Sequence, residues 1–240
     1  MYLQGDMHTH TIASTHAYST ILENCTWAEK YGLKGIAMTD HAMTMPDSPH
    51  VWHFENMKCL PRKISGVTVL KGIEANIVGD DGEIDVDIRL QKSMEWVVAS
   101  MHKYCYEPSN AQTHTKSYLK LAQNPYVDVI GHCTTATFPF DFEKGIKAFK
   151  EYEKLVEINE SSIMNKKGSR ENSIEVLKLC KKYEVPVVID SDCHYCELIG
   201  KAPIALEMVN ELDFPEKLIM NSDWDKIREY VLKKKPDLDI

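Results

Sequence analysis

The sequence predicts an α/β protein, and more narrowly a distorted (β/α)7 barrel of the TIM-like kind that forms a single domain over residues 1–240. Short runs of apolar and β-branched residues alternate along the chain with segments of helical periodicity. A histidine, carboxylate or amide side chain stands at the end of each run, at intervals of 27–33 residues, which is the length of one βα unit. The length of 240 residues fits one such barrel or two small domains.

Seven runs are predicted as strands because they are short, rich in β-branched or apolar residues and bounded by polar residues or glycine. They are Tyr2–Met7, Gly35–Thr39, Val67–Ala75, Trp96–Met101, Val127–Gly131, Leu155–Ile158 and Val185–Ile189. The polar residues at their carboxyl ends, in the same order, are His8, His41, Glu74, His102, His132, Asn159 and Asp192.

The segments between the strands carry helix signals. Thr26–Glu29 has the form of a capping box, and Tyr31 and Gly32 indicate the end of that helix. Apolar residues at helical spacing predict helices over 113–123, 142–152 and 169–183, with Pro186 closing the last one. Residues 79–82 predict a turn.

Parallel strands joined by right-handed helical crossovers form either a closed barrel or an open doubly wound sheet. Neither a Gly-x-Gly-x-x-Gly motif nor a phosphate loop follows the first predicted strand, which disfavours a nucleotide-binding sheet. We therefore predict a barrel of seven strands, or a distorted one of eight. In such barrels the catalytic side chains lie at the carboxyl ends of the strands.

Histidine and carboxylate residues are concentrated at these predicted strand ends. Two residues separated by one position point to the same side of a strand, so His8 and His10 can bind one ion together, as can Asp192 and His194. Imidazole and carboxylate groups are ligands for zinc, iron and manganese. The metal ligands that we predict are His8, His10, His16, His41, Glu74, His102, His132, Asp192 and His194.

Nine side chains are too many for one tetrahedral ion, whereas with a bridging Glu74 they can serve three. We expect three divalent ions, zinc first, with manganese or iron as alternatives. Neighbouring ions of this kind suit the hydrolysis of a phosphate ester by metal-activated water. Glu74 and Asp192 are then the expected catalytic carboxylates, either bridging ions or positioning the metal-bound water, and a small phosphorylated compound is the expected substrate.

These residues resemble those of the PHP family, named for polymerase and histidinol phosphatase. The resemblance rests on His8-Thr9-His10, His16, residues 39–41, 72–74, His102, residues 131–132 and 192–194, and it extends nearly end to end, to about Asp223. The stretches 13–20, 50–57, 72–77 and 158–162 are similar to the YcdX-like phosphatase branch.

The resemblance implies a distorted (β/α)7 barrel with three metal ions and phosphoesterase activity. It also implies a distribution of ligands: His8, His10, Glu74 and Asp192 on one ion, Glu74, His102 and His132 on a second, and His16, His41 and His194 on the third. Two stretches depart from the branch, residues 133–135 after His132 and residues 103–106 after His102. Both lie at the expected mouth, so they bear on the choice of substrate.

Groups that could contact the substrate or its phosphate are His53, Arg62, Lys103, Asn159, Lys167 and Arg170. Residues 167–170 stand at a predicted helix start, which favours anions. Asp40 precedes His41 and is expected to orient a ligand without binding the ion. His114 is expected to be exposed on its helix.

Composition argues against several classes of function. The net charge of −8 disfavours general nucleic-acid binding, and no apolar run approaches the roughly 20 residues that span a bilayer. Residues 1–6 lack the features of a signal peptide, and the seven cysteines are expected to be reduced, with Cys193 and Cys196 a weak redox motif. We therefore expect a cytoplasmic protein with no membrane or nucleic-acid partner; a homo-oligomer is compatible with the sequence.

Four other functions stay open at this point. A histidinol-phosphate phosphatase differs from the leading hypothesis only in its substrate. A PHP-type nuclease would need a nucleic-acid surface, for which the sequence offers no basic stripe. An amidohydrolase-like C–N hydrolase typically uses one or two ions and a modified lysine where this chain has His102. A metal-storage or sensory module is disfavoured by shared ligands at an open mouth.

Overall fold

The chain folds into one α/β domain, a nearly closed barrel of parallel strands, which confirms the predicted fold class. A computed structural model describes residues 2–240. The parallel strands, in their order around the barrel, are β1 (Gly5–Thr9), β2 (Gly35–Met38), β4 (Val67–Asn76), β5 (Trp96–Ser100), β6 (Val129–Ile130), β7 (Leu155–Asn159) and β8 (Val187–Asp190). A short strand, β3 (Lys63–Ile64), pairs antiparallel with the start of β4.

Helices surround the barrel and close one end of it. They are α1 (Ile21–Lys30), α2 (Trp52–Glu55), α3 (Ile88–Ser93), α4 (Ala111–Ala122), α5 (Phe142–Glu151), α6 (Glu160–Asn165), α7 (Ser169–Tyr183), α8 (Pro203–Glu211) and α9 (Trp224–Lys234), with short 3-10 turns at Asn56–Cys59, Cys196–Leu198, Glu216–Leu218 and Met220–Ser222. Helices α4, α5 and α7 lie where the apolar spacing predicts them. Within residues 2–240, no helix combines the length and apolar character needed to span a membrane.

The start of α1 corrects one expectation. The capping box is formed by Thr20 and Glu23, whose side chains each bond the other's backbone N–H, and not by Thr26 and Glu29. Thr26 lies inside the helix and donates its hydroxyl to the carbonyl of Leu22 at 2.7 Å. Both pairs have the same spacing, but only the first precedes the whole buried face of the helix, so the helix begins there.

Side chains replace much of the backbone ladder where β1 meets β8. The Met7 N–H donates to Asp190 Oδ1 at 2.8 Å, and the Ser191 N–H donates to Asp6 Oδ1 at 3.2 Å. Below them, the Asn221 amide bonds backbone groups of both strands at 2.7–3.0 Å. These hydrogen bonds join β1 to β8. The barrel is therefore closed at this seam by the carboxylates of Asp6 and Asp190 and by the amide of Asn221.

The amino-terminal half of the barrel interior is filled with apolar side chains. Each parallel strand contributes to this cluster: Met7, Ala37, Leu70, Trp96, Val98, Val129, Leu155 and Val188. Helix α9 closes it from below with Ile227 and Val231, and the Trp224 ring packs so tightly on Gly35 that a Cβ there would lie 2.1 Å from it. Polar side chains can therefore enter the interior only in the carboxyl-terminal half.

Candidate metal centre

The nine predicted ligands come together at the carboxyl-terminal mouth of the barrel. β1 and the residue after it carry His8 and His10, β4 carries Glu74 near its end, and the others follow β2, β5, β6 and β8 or lie in the loop after β1. The donor atoms of six of them form three overlapping groups, each of three atoms within 4.8 Å of one another: His10, His41 and His194; His8, His10 and Glu74; His41, Glu74 and His102. The convergence expected from the strand spacing is present.

Irregular backbone aims several of these side chains inward. Met7 and His8 are consecutive, yet the first packs in the apolar interior and the second faces Glu74. A regular strand would send them to opposite sides, and the register of β1 against β2 shifts between Asp6 and Thr9. His132 and Asp192 have positive φ angles, +22° and +53°, which L-residues rarely adopt and which cluster at functional sites.

Glu74 is the centre of the arrangement. The side chain is fully buried, and each of its two oxygens faces a different set of histidine nitrogens. Oε1 lies 3.3 Å from His102 Nε2 and 3.1 Å from His132 Nε2, and those two nitrogens are 3.1 Å apart. Ligands of a tetrahedral ion with bonds of about 2.1 Å lie about 3.4 Å from one another. This triangle therefore has the size of one face of a metal site.

A second set of donors surrounds the other oxygen. Glu74 Oε2 lies 3.4 Å from His8 Nε2 and 3.6 Å from His10 Nε2. Asp192 Oδ1 completes the set, 3.7 Å from His8 Nε2 and 3.1 Å from His10 Nε2. Two imidazoles and two carboxylates at these separations match the donor set and edge lengths of a second tetrahedral site.

The third group differs in detail from the one that the family resemblance implies. The donor atoms that cluster with those of His41 and His194 belong to His10. The His16 ring stacks on His194 with centroids 4.4 Å apart, but its Nδ1 bonds Asp47 and its side chain is 48% exposed. His16 therefore lies at the outer rim of the group.

Unsatisfied buried atoms test whether this set fits a cation. Among residues 2–240, the atoms of the centre that are buried and lack a hydrogen-bond partner include His8 Nε2, His10 Nε2, His41 Nδ1, Glu74 Oε2 and His194 Nε2. His41 Nδ1 lies 2.6 Å from Glu74 Oε2, but the angle of approach does not suit a hydrogen bond, so both atoms remain without a hydrogen-bond partner. Each such atom costs about 1–3 kcal/mol if nothing satisfies it. Divalent cations would satisfy all of them, so the residues fit a metal centre.

The protonation states differ among the candidate ligands. Burial would lower the pKa values of His8 and His41, but neighbouring carboxylates, chiefly Glu157 for His8 and Glu74 for His41, outweigh it and raise them. Burial, together with the nearby His41, lowers the pKa of His10 to about 3, and burial lowers the pKa of His102 to about 4. Burial alone would raise the pKa of Glu74, but the neighbouring His8, His102 and His41 outweigh it and hold that pKa well below its usual range. At neutral pH the carboxylate is charged and the imidazoles of His10 and His102 offer a free lone pair.

Other polar side chains hold the ligands in place. Glu157 is fully buried on β7, with Oε1 2.6 Å from His8 Nδ1, and its Oε2 accepts the His132 N–H at 2.5 Å. Asn76 Oδ1 lies 2.8 Å from His102 Nδ1. Neither residue was predicted from the sequence. The available signal was spacing, since Glu157 stands two positions before Asn159 and Asn76 two positions after Glu74, on the same face of each strand.

Asp40, which was expected to orient a ligand, and Asn159, which was expected to contact the substrate, both form hydrogen bonds beside the centre. Asn159 donates its amide to Asp192 Oδ2 at 3.1 Å, so it positions a candidate ligand. Asp40 accepts hydrogen bonds from Thr11 and Ser14 in the loop that carries His16, and its Oδ2 lies 3.1 Å from His53 Nε2. His53 thus faces Asp40 and lines a separate, larger cavity of about 940 Å³ beside the centre.

A cavity of about 510 Å³ opens directly above the centre. Of the expected substrate-binding residues, Lys103 lines it, while Lys167 and Arg170 do not; their neighbour Lys166 does. Arg170 Nη2 instead faces Glu211 Oε2 at 3.8 Å. Helix α6 ends at Asn165, and Lys166 is the residue that caps it. The chain leaves the helix there and places Lys166, but not Lys167, at the mouth of the cavity.

Two expectations are wrong. Arg62 cannot contact a substrate here, because it lies at the opposite end of the barrel in a two-pronged pair with Glu95, which immediately precedes β5. His114 is fully buried and not exposed: its Nδ1 donates to the Pro139 carbonyl at 2.8 Å, and its Nε2 accepts the Ser109 N–H at 2.9 Å.

Comparison with known proteins agrees with this geometry. The model of the PHP domain family matches residues 6–208. A probable phosphatase of Thermoanaerobacter sp. strain X514 is 44% identical over 237 residues, covering 98% of this chain and 97% of that protein. A probable phosphatase of Clostridium botulinum strain Okra is 42% identical over 229 residues, covering 95% and 94%.

A solved structure has a similar fold. The histidinol phosphate phosphatase of Lactococcus lactis, crystallised with zinc, L-histidinol and phosphate, superposes with a TM-score of 0.58 at 14% identity, over 88% of this chain and 93% of that one. At this identity the likeness concerns the fold alone. With the family match over most of the chain and relatives above 40% identity, the resemblance seen in the sequence is confirmed: the chain belongs to the PHP domain family.

Proposed function

We propose that the protein is a metal-dependent phosphatase that hydrolyses a small phosphomonoester at a centre of three divalent ions, with zinc as the expected metal and manganese or iron as alternatives. The observation that carries the proposal is the buried Glu74 carboxylate, which faces five histidine nitrogens on the floor of an open cavity. The names of the relatives, probable phosphatases, support the choice of reaction.

In this proposal each carboxylate oxygen of Glu74 belongs to a different site. Bound divalent ions supply Lewis acidity and positive charge, which activate water and stabilise the oxygens of a phosphoryl group during its transfer. The proposed sets are His8, His10, Glu74 and Asp192; Glu74, His102 and His132; and His16, His41 and His194.

The remaining residues make this geometry rigid. Glu157 fixes His8 and His132 together, because one carboxylate contacts a ring nitrogen of the first and the backbone N–H of the second. Asn159 keeps Asp192 turned toward His8 and His10. With its ligands held in this way, the centre needs no side-chain nucleophile.

We also propose that residues 1–240 act as a single unit. Helix α9 lies beyond the 6–208 segment that the family model matches, yet Ile227 and Val231 complete the barrel core. Removal of α9 would open the interior beneath the centre.

The test is metal analysis and turnover on one preparation purified without chelator. We expect about three ions per chain, hydrolysis of p-nitrophenyl phosphate, loss of turnover on chelation and recovery when the metal is returned. One ion or none, with no turnover after zinc, manganese or iron is added, would overturn the proposal. Histidinol phosphate, single-stranded DNA and a cyclic amide belong in the same assay, because they represent the competing functions.

A further inference from the structure

Two lysines at the mouth of the catalytic cavity lack partners. Lys103 follows β5 directly after His102, and Lys166 follows the end of α6, so two different loops bring them to one cavity. Within residues 2–240, neither ammonium group forms an ion pair, although surface lysines such as Lys116, Lys217 and Lys233 do. Exposed lysines elsewhere in the described chain, such as Lys178 on α7, also lack an ion pair, so what distinguishes Lys103 and Lys166 is that both line one cavity above the candidate metal centre.

The wall between these lysines is apolar and partly aromatic. Tyr104, Phe138, Met45 and Met101 line the same cavity, and the Tyr104 side chain is 66% exposed. The Lys103 ammonium lies 5.1 Å from the centroid of the Tyr104 ring. A flat or apolar group could pack on this wall while a charged substituent reaches the lysines.

The floor and the rim of the cavity differ in what they can bind. His132 and Asp192 on the floor are buried, whereas Lys103 on the rim is exposed. If the proposed function is correct, the transferred phosphate is neutralised by ions on the floor, and the rim lysines are free for another group. We propose that the substrate carries a second anionic group, a carboxylate or a second phosphate, on an apolar body, and that Lys103 and Lys166 bind it.

The test compares two substrates of the same size in each enzyme. One is 3-carboxyphenyl phosphate, and the other is 3-carbamoylphenyl phosphate, which replaces the anionic carboxylate by a neutral amide. The ratio of their kcat/KM values is measured for the wild type, for the double variant Lys103→Met/Lys166→Met and for Lys178→Met. Intrinsic reactivity cancels when ratios are compared between enzymes, and Lys178 is an exposed lysine on α7 outside the cavity.

We expect the wild type and Lys178→Met to prefer the carboxylate, and the double variant to lose about 10-fold in that ratio, the size of two exposed ion pairs. The loss should appear mainly in KM, with metal content unchanged, and the wild-type preference should weaken as ionic strength rises to about 0.5 M. Repeating the series with 1,3-phenylene bisphosphate distinguishes a phosphate from a carboxylate as the second anion.

An equal fall in kcat/KM for both substrates in the double variant would overturn the inference, because the lysines would then bind the transferred phosphate. An unchanged ratio would overturn it as well. Calorimetric binding of the non-hydrolysable (3-carboxybenzyl)phosphonate and (3-carbamoylbenzyl)phosphonate to the metal-loaded protein tests the same discrimination without turnover. Binding discrimination without any hydrolysis would therefore reject the proposed function and leave this inference standing, whereas hydrolysis without discrimination would do the reverse.

Discussion

Both ends of the barrel bury charged side chains, but the two ends differ in the hydrogen-bond partners that these side chains have. At the carboxyl end, Glu74 faces several histidines and its Oε2 has no hydrogen-bond partner. At the amino end, Arg62 and Glu95 form a two-pronged pair at 2.7 and 2.8 Å, and Glu95 also accepts the Lys71 N–H at 2.9 Å. Only the first arrangement leaves polar atoms without partners.

The amino end repeats this satisfied pattern before each of three neighbouring strands. Glu95 precedes β5, Asp128 precedes β6 and Lys154 precedes β7. Asp128 accepts the Val97 N–H at 2.8 Å and pairs with the Lys234 ammonium at 2.6 Å. The charges at this end therefore join strands and α9 to one another, which is a structural role.

The difference gives a criterion for function. Burial of charge occurs at both ends, so burial alone does not identify a site. Buried groups with full hydrogen bonding stabilise the fold, whereas buried donors that converge without partners are costly unless a ligand satisfies them. Substitutions at the two ends should accordingly separate activity and metal content from stability.

The largest effect is expected for Glu74→Gln. An amide keeps the size of the side chain but offers one acceptor oxygen where the carboxylate offers two, and it carries no charge. Loss of the bridging group should remove several kcal/mol of stabilisation from the proposed transition state and reduce kcat/KM on the order of 10³-fold. Metal content per chain should fall in the same sample.

The matched control for this variant is Glu95→Gln, the same change at the other end of the barrel. It should leave the metal content and kcat of the folded protein close to those of the wild type. Full activity in the Glu74→Gln protein, with its metal retained, would contradict the role given to this carboxylate.

Arg62→Met should have the reverse effect. It leaves the buried Glu95 carboxylate without its cation, and breaking a buried pair usually costs 3–5 kcal/mol. The Arg62 side chain is 22% exposed, so we expect a smaller loss, about 2–3 kcal/mol of unfolding free energy. Urea unfolding measures it, and kcat below the unfolding transition should not change.

A double variant separates the pair from the rest of the network. Adding Glu95→Gln removes the unpaired charge and keeps an acceptor for the Lys71 N–H. The double variant should therefore be more stable than Arg62→Met alone. Equal or greater destabilisation would mean that the stranded carboxylate is not the cause.

Glu157→Gln should weaken metal binding without abolishing it. The amide has one acceptor for two contacts, His8 Nδ1 and the His132 N–H, so one ligand loses its support. Removing such a partner typically costs 10–100-fold in metal affinity, measured here with chelator-buffered zinc. Glu160→Gln is the control, because Glu160 is also buried and accepts two N–H groups, those of Ile204 and Ala205, away from the ligands.

Local spacing predicted most of the barrel and the convergence of the candidate ligands at one mouth. Each strand contributes side chains with period two, so residues such as His8, Glu74 and His102 could be placed at one mouth from their positions alone. Glu157 was missed although it stands two positions before Asn159 on the same face of β7, because spacing alone does not show which groups it meets. Its role depends on His8 and His132, which only the closed barrel brings near it.

The remaining errors share a physical cause. The segment between β2 and β4 includes α2, a 3-10 turn and β3, and so departs from a simple βα unit; nothing in the sequence therefore locates Arg62 at one end or the other. His114 is buried by Pro139 and Phe138, which lie about 25 residues further along the chain. No expectation was stated for helix α9, which closes the barrel from below, and the packing of its Trp224 ring depends on the space left at Gly35.

The smallest expected effect concerns Lys154, whose ammonium is buried and donates to the carbonyls of Asn124 and Val127. Burial, with the nearby Lys234, lowers the pKa of Lys154 to about 8. In the unfolded chain the pKa is about 10.4, so the unfolded state binds more protons between these values and stability rises with pH there. Relative to Lys154→Met, the wild type should gain about 1–2 kcal/mol of unfolding free energy from pH 8 to pH 10. Urea titrations of both proteins at these pH values measure the difference, and parallel curves would show that the ammonium is as well solvated by its two carbonyls as by water.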